Sequence, residues 1–145
     1  MPTPAALLGL AHIALAVEDA EATVRQYQAL FGARVTLRET LASRGLRVVF
    51  LDVGGVPLEL LEPIDAADES STVAKFLRKR GPGLHHVAFR VADADASLRA
   101  AAAAGAELID AAPRPGAAGC LVGFLHPRST AGALIEFVEP AAEEA

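Results

Sequence analysis

Two histidines and two glutamates stand at matching points of a stretch of chain that occurs nearly twice. The first copy reads His12-Ile-Ala-Leu-Ala-Val and later Glu59-Leu-Leu-Glu-Pro; the second reads His86-Val-Ala-Phe-Arg-Val and later Glu136-Phe-Val-Glu-Pro. The histidines lie 74 residues apart and the glutamates 77. Two imidazoles and two carboxylates are ligands for a divalent metal. A repeated fold unit can carry all four to one centre, because pseudo-symmetry maps each pair onto the other. Such a set balances the metal's charge and leaves up to two octahedral positions for water or substrate oxygens, which marks a catalytic rather than a closed structural site. Without a thiolate, the set suits Co, Mn, Ni, Zn or Fe and does not choose among them.

Taken singly, each residue has a plainer reading. A lone histidine on an apolar strand is ordinarily a packed or surface side chain, and a strand glutamate ordinarily faces water by alternation. The equivalence of position reverses that weighting. Glu59 sits between Leu58 and Leu60, and Glu136 between Ile135 and Phe137, so each carboxylate is interior to an apolar strand, where it needs a partner or a proton. His85 should point away from His86 across its strand, and His126, in Leu-His-Pro, falls in a loop; neither is expected to be a ligand.

The elements that must position these side chains follow from hydrophobic period and punctuation. Residues 10–17 alternate as a strand, with His12, Ala14 and Ala16 on one face. Asp19 caps a helix to about Phe31, stopped by Gly32. Strands follow at about 33–41, 46–53 and 56–62, the last two joined by a Gly54-Gly55 hairpin turn. The second copy repeats the order: a strand at 84–91, a helix from Asp93 to about Ala104 stopped by Gly105, then strands near 107–109, 121–125 and 133–138. Between them Ser71 and Thr72 can cap a short linker helix to about Arg80. Its Lys75, Arg78, Lys79 and Arg80 read best as a solvated face. Neither open sheet can bury its apolar face alone. The expected fold is therefore α+β: two tandem βαβββ modules forming a curved mixed sheet around a metal-binding cleft, with helices outside. One domain spans residues 1–145, with module one at about 8–63, the linker helix at about 71–80 and module two at about 83–140.

Composition sets the outer limits. At 145 residues the chain is of single-domain size. A hydrophobic content of 52% and a mean hydropathy of +0.35 suit a compact protein, and no apolar run approaches the roughly 20 residues that span a bilayer. The first residues lack the basic start of a secretory signal. The lone Cys120 precludes an internal disulfide and fits a reducing cytoplasm. A net charge of −5 argues against nucleic acid as a partner, but not against a small anion met by local positive charge.

The βαβββ pair with its His/Glu/His/Glu set resembles the vicinal oxygen chelate superfamily, which includes glyoxalases, bleomycin resistance proteins and dioxygenases. Within it, Glu59-Leu-Leu-Glu-Pro, Ser71-Thr-Val-Ala-Lys-Phe-Leu-Arg-Lys-Arg, Gly83-Leu-His-His-Val-Ala-Phe-Arg-Val, Phe124-Leu-His-Pro-Arg-Ser-Thr and Gly132-Ala-Leu-Ile-Glu-Phe-Val-Glu are similar to the methylmalonyl-CoA epimerase family, over about residues 10–140. The resemblance implies that His12, Glu59, His86 and Glu136 hold a divalent metal (Co, Mn, Ni or Zn). It implies a CoA thioester substrate whose α-proton is removed and returned, interconverting (2R)- and (2S)-methylmalonyl-CoA through a metal-stabilised enolate, in a homodimer. One departure matters. Several members carry a glutamate, a proposed second base, where this chain has Val48, and some carry glutamine at the position of Glu59. The expectation is that Glu136 and Glu59 divide the two faces of the substrate as catalytic groups.

Three rivals remain. A glyoxalase I-type lactoylglutathione lyase shares the four-ligand logic. A ring-cleaving dioxygenase would need an open coordination position that a fourth protein ligand fills, and Tyr27, the one tyrosine, is placed on a helix. A small-molecule-binding module of the same fold would want an aromatic cleft, for which 5% aromatics and no Trp are poor equipment. Arg114 or Arg128 could meet a carboxylate or phosphate, though ordinary loop arginines are the plainer reading of both.

Overall fold

The computed structural model describes residues 2–142. Its strands are β1 (Leu7–Ala16), β2 (Arg34–Leu41), β3 (Leu46–Val53), β4 (Val56–Pro63), β5 (Gly83–Val91), β6 (Arg114–Pro115), β7 (Leu121–Leu125) and β8 (Ile135–Glu139), and its helices are α1 (Ala20–Phe31), α2 (Thr72–Arg80) and α3 (Ala94–Ala103). The chain divides into two compact units, one of residues 12–85 and one made by the residues on either side of it. No helix among the described residues is long and apolar enough to cross a membrane.

In the unit of residues 12–85, β1 runs parallel to β4, and β4 and β2 flank β3 antiparallel. The side-chain period of two sorts these strands into two faces. Val49, Leu51 and Leu60 pack with Val17, Ala20 and Val24 beneath α1, so the apolar stripe of the helix buries one face. The helix starts where Asp19 accepts the Ala22 N–H at 3.0 Å and ends at Gly32, whose left-handed φ of 65° closes the last turn. Gly54 and Gly55 both have positive φ, as the tight two-residue hairpin between β3 and β4 requires.

The other unit repeats the scheme. Here β5 runs parallel to β8, and β8 and β6 flank β7 antiparallel. Val91, Leu125 and Phe137 pack with Ala94 and Leu98 of α3. Asp93 caps the helix as Asp19 does, accepting the Ala96 N–H at 2.9 Å. The linker helix α2 is capped by Ser71, and its Lys75, Arg78, Lys79 and Arg80 are exposed, as a solvated face should be.

One expected element is corrected. Residues 107–109 make only an isolated bridge, Leu108 to Leu125, and the strand opposite β7 lies further on, at β6. The cause is Asp110. Its side chain accepts the Phe124 N–H at 2.8 Å, a bond that a continuing ladder would give to a backbone carbonyl. Ala111, Ala112 and Pro113 follow before pairing resumes, and Pro113 has no N–H to donate.

Candidate functional site

Register brings each histidine to its glutamate. In β1 and β4 the Cα partner of Glu59 is Ala14, so His12, two residues earlier, shares its face. Across β4 the partner of Glu59 is Phe50 of β3. In the other unit the same row reads Ala88, Glu136 and Phe124, with His86 two residues before Ala88. The resulting contacts agree closely: His12 Nε2 lies 3.3 Å from Glu59 Oε1, and His86 Nε2 lies 3.2 Å from Glu136 Oε1. All four residues are buried, from 3% exposed for Glu136 to 6% for the others. Each pair occupies the face of its strands opposite the helix-packed cluster, and the fully buried Ala14 and Ala88 keep that face shallow beside it.

Each imidazole also has an aromatic neighbour. The Phe50 ring meets His12 edge-on with centroids 5.7 Å apart, and Phe124 meets His86 at 5.1 Å. Phe50 and Phe124 lie 74 residues apart, the same offset as the histidines. These edge-to-face contacts fix ring orientation and exclude water from one side of each nitrogen donor.

The donor chemistry fits a metal. Two ligands bonded at about 2.1 Å to one ion are roughly 3.0 to 3.4 Å apart when adjacent, which is the His–Glu separation in each unit. A buried carboxylate needs a partner or a proton, and a divalent cation would be such a partner.

The second glutamate of each Glu-x-x-Glu-Pro has a separate task that the sequence pattern did not disclose. Glu62 accepts the Ala20 N–H at 2.9 Å and Glu139 accepts the Ala94 N–H at 2.9 Å. Each ties the last strand of its unit to the positive N-terminal end of the helix, and so holds the glutamate three residues earlier in place. Glu62 also pairs with Arg47 at 2.7 Å.

The remaining candidates separate clearly. His85 packs edge-on to Phe76 of α2, while His126 Nδ1 accepts the Arg128 N–H at 3.0 Å in a turn; both agree with exclusion from the ligand set. Arg128 is an exposed arginine paired with Glu107 at 3.2 Å. Arg114 differs: its Nε lies 3.1 Å from Asp110 Oδ1, and its guanidinium carbon sits 5.8 Å from the centroid of the Phe124 ring. Val48 is buried on the same face as Phe50 and is the Cα partner of Glu39 on β2.

Comparison with known proteins matches residues 11–124 to the Glyoxalase/Bleomycin resistance protein/Dioxygenase superfamily. The ethylmalonyl-CoA/methylmalonyl-CoA epimerase of Cereibacter sphaeroides is 36% identical over 129 residues, covering 88% of this chain and 94% of that protein. The crystal structure of methylmalonyl-CoA epimerase from Mycobacterium tuberculosis superposes with a TM-score of 0.87 at 36% identity, covering 98% of this chain and 94% of that one. A methylmalonyl-CoA epimerase solved in complex with methylmalonyl-CoA and NH4+ gives a TM-score of 0.86 at 38% identity, covering 97% and 99%. The α+β fold expected from the repeat is the fold of these structures.

Proposed function

The chain belongs to the Glyoxalase/Bleomycin resistance protein/Dioxygenase superfamily, and from that premise we propose that it is an isomerase interconverting (2R)- and (2S)-methylmalonyl-CoA. The observation that carries this reading is the twinned, buried His–Glu contact, in a chain that matches methylmalonyl-CoA epimerases over nearly the whole length of both partners. His12, Glu59, His86 and Glu136 would hold one divalent metal, for which Co, Mn, Ni and Zn all suit the donor set. In support, each unit buries one imidazole within 3.3 Å of one carboxylate.

The α-proton of a thioester is far less acidic than a carboxylic acid, so its removal demands stabilisation of negative charge as that charge forms. The chemistry a bound divalent metal supplies is Lewis-acid stabilisation of that charge on oxygen. The protein's own residues do the rest. Glu136 and Glu59 are the groups that take and return the proton at C2, one for each face of the substrate, since Val48 can move no proton. Phe50 and Phe124 exclude water beside the imidazoles. The rigid strand register keeps each carboxylate in one position through both directions of the reaction.

A cytoplasmic homodimer completes the proposal. The single cysteine is in keeping with a reducing compartment, and the exposed Leu8 and Leu10, which share one face of β1, offer apolar area that a second copy would cover. The test of function is incubation of metal-loaded protein with methylmalonyl-CoA in heavy water. Deuterium entering at C2 is expected; no deuterium, together with lactoylglutathione formed from the methylglyoxal hemithioacetal, would overturn the reading in favour of a glyoxalase-type reaction.

A further inference from the structure

The arginine on the short edge strand β6 is held in a way that an ordinary surface arginine is not. Arg114 is the Cα partner of Val122, and directly opposed residues of an antiparallel pair share a face. Val122 and Phe124 alternate onto the same side of β7, and Phe124 is the Cα partner of Glu136. Arg114 therefore stands on the face that carries His86 and Glu136, not on the face packed under α3.

Two contacts preset its guanidinium. Phe124 lies beneath it at 5.8 Å, and the same ring meets His86 at 5.1 Å, so a single aromatic side chain separates the cation from the buried imidazole. Asp110 Oδ1 lies at ion-pair distance from Nε, 3.1 Å, while its Oδ2 accepts the Phe124 N–H at 2.8 Å. The bond that interrupts the strand ladder at residues 107–109 is thus the one that anchors the arginine's partner. The Nε faces Asp110 as an ion pair without a hydrogen bond of its own, and with the side chain 43% exposed the guanidinium presents the planar fork that receives a carboxylate with two parallel hydrogen bonds.

We propose that Arg114 binds the free carboxylate of the acyl group and so makes the site selective for acyl-CoA thioesters that carry a second carboxylate at C2. The proposal rests on the epimerase reading above for the identity of the substrate, but not for the geometry of the fork. A carboxylate and the phosphates of CoA share anionic chemistry. Proximity to His86 through Phe124 favours the carboxylate, which lies next to the reacting carbon, over the phosphates at the far end of the substrate.

The experiment uses the full-length, metal-loaded protein with Arg114→Met and Arg114→Lys, and three probes bound separately: malonyl-CoA, propionyl-CoA and free CoA. Arg114→Met should weaken malonyl-CoA binding by about 10- to 100-fold while leaving propionyl-CoA and CoA within about twofold. Arg114→Lys, which keeps the charge and loses the fork, should fall between. The KM for methylmalonyl-CoA should rise by more than kcat falls, a pattern that loss of a purely structural contact would not give. Equal weakening of all three probes would place Arg114 on the CoA tail and overturn the proposal, as would unchanged malonyl-CoA binding. Failure of the underlying reading shows differently: wild-type protein that binds malonyl-CoA through Arg114 but exchanges no C2 proton would overturn the epimerase assignment alone.

Discussion

The two copies agree in their inner rows and diverge at their edge strands. Inside, the correspondence is close: His12 and His86, Glu59 and Glu136, Phe50 and Phe124, and the helix-anchoring Glu62 and Glu139 occupy the same register positions and make the same contacts. At the edge, the equivalent valines Val48 and Val122 are opposed by Glu39 in one copy and Arg114 in the other. A metal presents a symmetric demand and can be met by symmetric halves. A substrate with a carboxylate on one side and a thioester on the other cannot, and the asymmetry of charge lies on the face that carries the His–Glu pairs.

The largest effects should come from the shared rows. His12→Ala and His86→Ala should each lower the rate of C2 exchange by about a thousandfold or more, because each would remove a ligand from the proposed ion; a large effect from only one copy would break the equivalence. Glu59→Gln sharpens the comparison further. It should keep the metal yet lose about 10²- to 10⁴-fold in exchange with one enantiomer of methylmalonyl-CoA, and retention of both half-reactions would refute the division between Glu59 and Glu136. Smaller changes are expected from the aromatic neighbours. Phe124→Leu, at a buried residue, should lower stability by about 1–2 kcal/mol and metal affinity by roughly tenfold, with Phe50→Leu less severe because that residue is only half-buried; denaturant titration and metal competition read both. Glu62→Gln should lower stability by about 1 kcal/mol and exceed Glu139→Gln, since Glu62 also holds Arg47.

The smallest effect concerns pH and belongs to one copy. Asp52, beside the Gly54-Gly55 turn, is held below the ordinary carboxylate range first by its hydrogen bond from Arg34 and then by the Gly55 backbone N–H. A depressed carboxylate contributes stability that is present above its unfolded value, near pH 4, and lost as pH falls through its lower folded value. Asp52→Asn should therefore slightly flatten the acid limb of the stability profile and leave C2 exchange unchanged; a shift near neutral pH would contradict this assignment.

Much of this is legible in the sequence. Asp19 and Asp93, Gly32, the Gly54-Gly55 turn and the 74-residue offset are local signals, and the helices and inner strands followed them to within a few residues. What escaped were features set by pairing across strands. The offset linking Phe50 to Phe124 was there to be found, but a phenylalanine in a strand reads as core until its register against a glutamate is known. Glu62 and Glu139 look like repeats of the ligand glutamates three residues earlier, and only the approach of a helix N-terminus tells them apart. The strand expected at residues 107–109 failed because hydrophobic period cannot foresee a carboxylate taking a ladder bond. That same bond separates Arg114 from Arg128, two loop arginines that composition leaves equivalent.

The central claim is that two equivalent His–Glu pairs serve one metal. Its most direct test is metal stoichiometry: reconstitution with Co, Mn, Ni or Zn, followed by elemental analysis of the wild-type chain and of His12→Ala and His86→Ala. The account predicts one ion per chain in the wild type and a comparable loss of that ion in either variant. Two ions per chain, or an ion that survives removal of one histidine while vanishing with the other, would contradict it.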